Sequence, residues 1–112
     1  MKNRYEKRRD LAVELPSANG HEQTGTRPAM VLAETEANIA VIIPFTTNLQ
    51  ALRFPHTIEI KPSTKNGLSV VSVGLIFQVR AVDKKRLRNK IGELGEPLLS
   101  SVNAILRELL SL

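Results

Sequence analysis

The chain comprises 112 residues with a formal net charge of +5 and an isoelectric point near 10.0, a length that supports one hydrophobic core, so a single domain over 1–112 is expected. With 42% hydrophobic and 24% charged residues, neither a disordered nor a membrane class fits, and no apolar run approaches the roughly 20 residues that span a bilayer. Cysteine is absent, which excludes a disulfide framework, a thiolate zinc site and a cysteine nucleophile.

Residues 1–9 are basic but lead into no signal-like apolar region, so a soluble, cytoplasmic protein is expected. Lys2, Arg4, Lys7, Arg8 and Arg9 form one basic cluster; Lys84, Lys85, Arg86, Arg88 and Lys90 form another. Such clusters attract nucleic acid, yet a solvated surface has the same composition, so charge alone leaves both readings open. Asp10-Leu11-Ala12-Val13-Glu14-Leu15 has the length and apolar content of a strand, ended by Pro16. Residues 17–26 are polar, contain glycine and lack apolar periodicity. They predict a long loop, a feature that in small domains tends to be functional.

Two apolar runs, Pro28-Ala29-Met30-Val31-Leu32-Ala33 and Ile39-Ala40-Val41-Ile42-Ile43, flank a short polar connection and read as buried strands, the second ended by Pro44. His56-Thr57-Ile58-Glu59-Ile60 alternates like a strand and stops at Pro62 and the Lys65-Asn66-Gly67 turn. Residues 69–81 are expected to form the longest strand. Val71, Val73, Leu75, Phe77 and Val79 would share one face, and Ser72, Gly74, Ile76, Gln78 and Arg80 the other. A helical turn over 84–87 and a short strand over 90–94 follow. From Pro97 the period changes: Leu98, Val102, Ile105, Leu106 and Leu109 form the stripe of an amphipathic helix, with Pro97 placed for its first turn. Short strands with one terminal helix predict a mainly β fold, a small barrel rather than a parallel sheet.

Four segments carry polar and charged groups suited to chemistry. Gly20-His21-Glu22-Gln23-Thr24-Gly25-Thr26-Arg27-Pro28 resembles the Gly-His-Glu-Gln…Gly-Thr-Arg-Pro signature of the MazF/PemK/Kid family of toxin endoribonucleases. Arg8-Arg9-Asp10 stands where that family has Arg-Gly-Asp, and Pro44-Phe45-Thr46-Thr47-Asn48 where it has Pro-x-Thr-Thr/Ser-x. Gln78-Val79-Arg80-Ala81-Val82-Asp83-Lys84-Lys85-Arg86-Leu87 is similar to its Gln-x-Arg-Thr-hydrophobic-Asp-Lys-x-Arg-Leu segment. The resemblance covers nearly the whole chain, in order. It implies an SH3-like β-barrel with a C-terminal α-helix, a homodimer, and a toxin neutralised by a cognate antitoxin. The implied activity is sequence-specific cleavage of single-stranded RNA, such as mRNA, with no metal and no cofactor.

Metal-free RNA cleavage needs a base for the 2′-hydroxyl proton, an acid for the leaving 5′-oxygen, and positive charge at the developing pentacoordinate phosphate. A guanidinium clamps two phosphate oxygens in fixed geometry, and the resemblance maps the family's catalytic arginine onto Arg27 and its active-site threonine onto Thr46. His21 can transfer a proton near neutrality or stand as a solvated bystander. Glu22 and Gln23 would organise the loop and, with Thr47, Phe77 and Gln78, contact RNA. The chain departs from Kid-like relatives, which carry an Arg-x-Asp acid/base pair before the strand glutamine; here the residues are Leu75-Ile76-Phe77. Phe77 can stack on a base but transfers no proton. His56 breaks the family's Phe-Pro-Thr/Ser-His pattern and reads as a strand or interface residue. The alternative function is a non-catalytic binder, either like the related gyrase poisons or a decayed toxin that retains RNA affinity.

Overall fold

In the computed structural model residues 11–16 and 26–112 are described. The basic cluster at 1–10 and the loop over 17–25, with His21, Glu22 and Gln23, lie outside the described residues. The elements are β1 (Leu11–Pro16), β2 (Thr26–Glu34), β3 (Ile39–Thr46), β4 (Thr57–Ile60), β5 (Ser72–Leu75), β6 (Arg80–Asp83), β7 (Lys90–Glu93) and α1 (Leu98–Leu110). Short 3-10 helices cover Leu49–Arg53, Ile76–Gln78 and Lys84–Arg86.

The Val- and Ile-rich runs pair antiparallel as β2 and β3, with Met30 opposite Ile43 and Val31 opposite Ile42. Thr35 fastens their connection: its Oγ1 donates to Ile39 O at 3.0 Å and accepts from Ala37 N at 3.2 Å. On its other edge β3 serves two partners. Ile39 to Ile42 pair with β6, and Phe45 and Thr46 pair with β5. Pro44 falls in the gap between those two ladders, where its missing N–H breaks no bond to either. The strand therefore runs through Pro44 to Thr46, against the expectation that the proline ends it.

The same handover breaks the strand expected over 69–81. No single straight strand can follow β3 across its bend, so the segment divides into β5, a 3-10 turn at Ile76–Gln78, and β6. The expected alternation of faces fails there: Ser72, Val73, Gly74, Leu75 and Ile76 are all buried. One side of β5 packs on Phe45 and Ile60, and the other lies under Ala51 of the Leu49–Arg53 helix. That helix has no apolar periodicity long enough to announce itself in the sequence.

Strand order is β4-β5-β3-β2-β1-β7, with β6 on β3. The mainly β fold with a C-terminal helix is as expected, but β4 and β7 do not pair, so the barrel is only approximate. A cleft of about 650 Å³ separates them, lined by Ile58, Ile60, Asn66, Leu94 and the start of α1 among others. The stripe of α1 covers the core as anticipated. Val102 is buried against the set that includes Met30, Ile43, Phe45 and Ile76, with Leu98, Ile105, Leu106 and Leu109 half-buried around it. Each large apolar side chain so buried stabilises by about 1.5–3 kcal/mol. Pro97 immediately precedes the helix instead of lying in its first turn. Among the described residues, no helix is long and apolar enough to cross a membrane.

The turn at Asn66 holds the unpaired end together. Asn66 is 6% exposed; its Oδ1 accepts from Ser63 N at 3.0 Å and Leu68 N at 2.9 Å, and its Nδ2 donates to Lys61 O at 2.9 Å. Glu93 N donates to Lys65 O at 2.8 Å, joining the turn to β7. Gly67 (φ 72°) and Gly92 pack so closely here that a Cβ on either would overlap the facing backbone. Asn66→Ala strands several buried polar groups and should cost about 2–4 kcal/mol, read as a lowered midpoint in urea unfolding; a loss under about 0.5 kcal/mol would show that this turn does not hold the seam.

Candidate functional site

Arg27 is the second residue of β2. The register continued from the Ala29–Pro44 pair sets it opposite Thr46, which pairs on its other side with Val73 of β5. Directly opposed residues of antiparallel strands share a face, with Cβ atoms about 4.5–5.5 Å apart. An arginine and a threonine from separate motifs are thus set side by side at one rim of the sheet. The next row outward, by the same register, holds Thr26, Thr47 and Ser72 on the opposite face.

Thr46 is fixed from two directions. Its backbone lies in the β3–β5 ladder, and its Oγ1 accepts from Asn48 N at 3.2 Å. A hydroxyl that accepts in this way still has its own proton to donate. Asn48 continues the arrangement by accepting from Gln50 N at 3.1 Å, which caps the Leu49–Arg53 helix. Arg27 is exposed, and the strand beneath it pairs with Leu15 of β1.

Thr47, Thr26 and Pro28 open onto a cleft of about 250 Å³ that Glu14, Ser69 and Ser72 also line. Glu14, a lone carboxylate between Val13 and Leu15, is a lining residue that the sequence reading does not reach.

Phe77 and Gln78 are not brought to this rim. They lie in the 3-10 turn past the end of β5, beyond Val73 in the direction away from Thr46. Phe77 meets Phe54 edge-on instead, with ring centroids 6.1 Å apart, and the Arg53 guanidinium lies 5.6 Å above the Phe54 ring. His56, at φ 62°, sits just before β4 and reaches Glu108 of α1 with Nε2 3.5 Å from Oε1. In the second basic cluster, Lys84 pairs with Glu34 at 3.3 Å and Lys90 with Glu93 at 2.9 Å. The Lys90 hydrogen bond, with its charge, holds the Glu93 carboxyl below its ordinary range. Lys85, Arg86 and Arg88 remain exposed. Among the described residues, no group of three or more His, Asp or Glu is placed to hold a metal.

Fold and family agree. The profile of the PemK-like, MazF-like toxins of type II toxin–antitoxin systems matches residues 10–110, and the chain belongs to this family. It is 32% identical over 97 residues to Endoribonuclease EndoA of Bacillus subtilis, covering 83% of each chain. To Endoribonuclease MazF of Staphylococcus saprophyticus it is 30% identical over 94 residues, covering 80% of this chain and 78% of that one. A chain of the MazE–MazF crystal structure (Form-II) from Deinococcus radiodurans superposes with a TM-score of 0.66 at 26% identity, over 94% of this chain and 95% of that one.

The Thr46–Asn48 bond has a separable structural role. Thr46→Ala should lower stability by about 1 kcal/mol through loss of that acceptor, whereas Thr46→Ser keeps it. Equal urea midpoints for the two variants would show that the bond does not anchor the rim.

Proposed function

We propose that this chain is a toxin endoribonuclease that cleaves single-stranded RNA at specific sequences, with Arg27 and Thr46 holding the scissile phosphate. The placement of Arg27 opposite Thr46 carries this reading. The guanidinium would grip two non-bridging oxygens, and the Thr46 hydroxyl would donate to one of them. The 2′-oxygen then attacks phosphorus and the bond to the 5′-oxygen breaks. The proton leaving the 2′-hydroxyl and the proton reaching the 5′-oxygen balance, giving a 2′,3′-cyclic phosphate and a free 5′-hydroxyl. Negative charge grows on the phosphoryl oxygens in the transition state, where a fixed cation stabilises it most. That contribution comes from Arg27 and needs no metal.

With no acidic residue at the Phe77 position, proton transfer is assigned to His21, since imidazole is the side chain suited to exchanging protons near neutrality. Glu22 and Gln23 would orient that loop, while Thr47 would contact RNA beside the clamp and Gln78 further along the groove. DNA lacks the attacking hydroxyl and is excluded as substrate. A gyrase-poison-like binder has no use for a phosphate clamp, so the Arg27–Thr46 pair disfavours that alternative. The reading places the protein in the cytoplasm, where mRNA is, as one domain over 1–112 paired with an antitoxin that covers the rim.

Leu49, Leu52, Phe54 and Phe77 are large apolar side chains left 39–49% exposed. They favour a second copy of the chain as the group that covers this surface. On this reading Phe77 serves subunit contact in place of base stacking.

Arg27→Ala should reduce cleavage of a long RNA by about 10²-fold or more with an unchanged unfolding midpoint, and EDTA should leave wild-type cutting intact. Wild-type rates from the Arg27 variant would sink the mechanism. Phe54→Glu should convert a dimer to a monomer in light scattering at micromolar concentration, and an unaltered mass would place the interface elsewhere.

A further inference from the structure

Glu14 has no part in the mechanism above, yet it is the one charged side chain among the described residues lining the 250 Å³ cleft beside the clamp. Its backbone is fixed on both sides. Glu14 N donates to Asn89 O at 3.1 Å, Glu14 O accepts from Arg88 N at 2.9 Å, and β1 pairs Glu14 with Pro28. Among the described residues, the carboxylate takes one long hydrogen bond, from Asn89 Nδ2, 3.5 Å from Oε1. A carboxylate accepts at about four lone-pair positions, so this one bond leaves capacity for a ligand in the cleft.

Hydroxyl side chains share the rest of the lining with the apolar Leu68, Val70 and Ile91. Thr26, Thr47 and Ser72 form one row across β2, β3 and β5, with Ser69 beside them. Thr26 adjoins Arg27 and Thr47 adjoins Thr46, so the cleft opens one residue from the clamp along both strands, at the same rim but on the opposite face of the sheet. Its volume is below the roughly 300–1,000 Å³ of pockets for drug-sized ligands. That volume suits a single base rather than a larger ligand.

Hydrogen-bond chemistry selects among the bases. An ionised carboxylate only accepts. Guanine is the base whose Watson–Crick edge presents two adjacent donors, N1–H and the N2 amino group, parallel to the two carboxylate oxygens. Adenine and cytosine present one amino group beside a ring nitrogen that only accepts, and uracil places its single N–H between two carbonyl oxygens. Each of those sets a lone pair against the carboxylate, whereas the hydroxyls of Thr26, Thr47 and Ser69 can donate to guanine O6 and N7.

We propose that this cleft is a guanine-binding subsite read by Glu14. Its position next to a scissile phosphate rests on the ribonuclease reading; the recognition of the base does not.

Two measurements test it. In heteronuclear NMR titrations, guanosine 5′-monophosphate should shift the amides of Thr26, Thr47 and Ser69. Inosine 5′-monophosphate, which lacks the N2 amino group, should bind about tenfold or more weakly, as expected for one lost bond to a charged group. Glu14→Gln, nearly the same shape, should erase the difference between the two nucleotides while keeping the wild-type unfolding midpoint. In end-mapping of a long RNA, wild-type cut sites should carry guanine at one fixed position beside the cut, and Glu14→Gln should lose that enrichment. Shifts that avoid the cleft, equal binding of the two nucleotides, discrimination that survives in Glu14→Gln, or cut sites without a fixed guanine would each overturn the proposal. Protein that cuts no RNA but titrates as described would refute the ribonuclease reading and leave the subsite standing.

Discussion

Everything at the rim depends on β3 being shared between two ladders. Its early residues are tied to β6 and its last two to β5, while β2 runs along its other edge. This makes β3 the most constrained segment of the described chain, and Thr46 its final residue. Antiparallel register then does the positioning. Once Met30 and Ile43 are matched in the core, the residues at the ends of β2 and β3 have no freedom to choose other neighbours. Arg27 and Thr46 face each other because apolar residues several positions away must face inward.

That coupling suits a reaction governed by charge placement. A guanidinium held at a strand end loses little on binding an oxyanion, because the backbone carrying it is already ordered. Proton transfer has the opposite requirement: acid and base must approach groups that move during the reaction, and a loop can supply them. The proposed mechanism divides the work along those two demands, with the clamp at Arg27 and Thr46 and proton transfer at His21. The paired lysines fit the same scheme. Lys84 and Lys90 are engaged by Glu34 and Glu93, so part of the basic composition serves the fold, and the exposed Lys85, Arg86 and Arg88 supply the outward field.

Much of this was legible in the sequence, wherever a local pattern and a long-range contact asked for the same thing. The apolar runs of β2 and β3, the Lys65-Asn66-Gly67 turn and the stripe of α1 are each dictated by residues near in sequence. Pro44 misled because its usual effect on a strand presumes one continuous neighbour, and here the neighbour changes at that residue. The alternation over 69–81 misled for a related reason: a period of two implies one buried face, but β5 is covered on both. The pairing of Arg27 with Thr46 needed the register and was reached only through resemblance. Glu14 escaped notice because a single carboxylate in a strand says nothing until the strands beside it are known.

The seam between β4 and β7 bears on how the molecule comes apart. Those edges are joined by a side-chain-braced turn instead of a backbone ladder, so the Asn66 region can open while the β2–β3–β5 ladder stays closed. Opening would start at the seam, where Gly67 meets Ile91. Amide protons of β4 and β7 would then exchange with solvent sooner than those of β3. A sheet built this way could keep its β2–β3–β5 ladder assembled through excursions that loosen the seam.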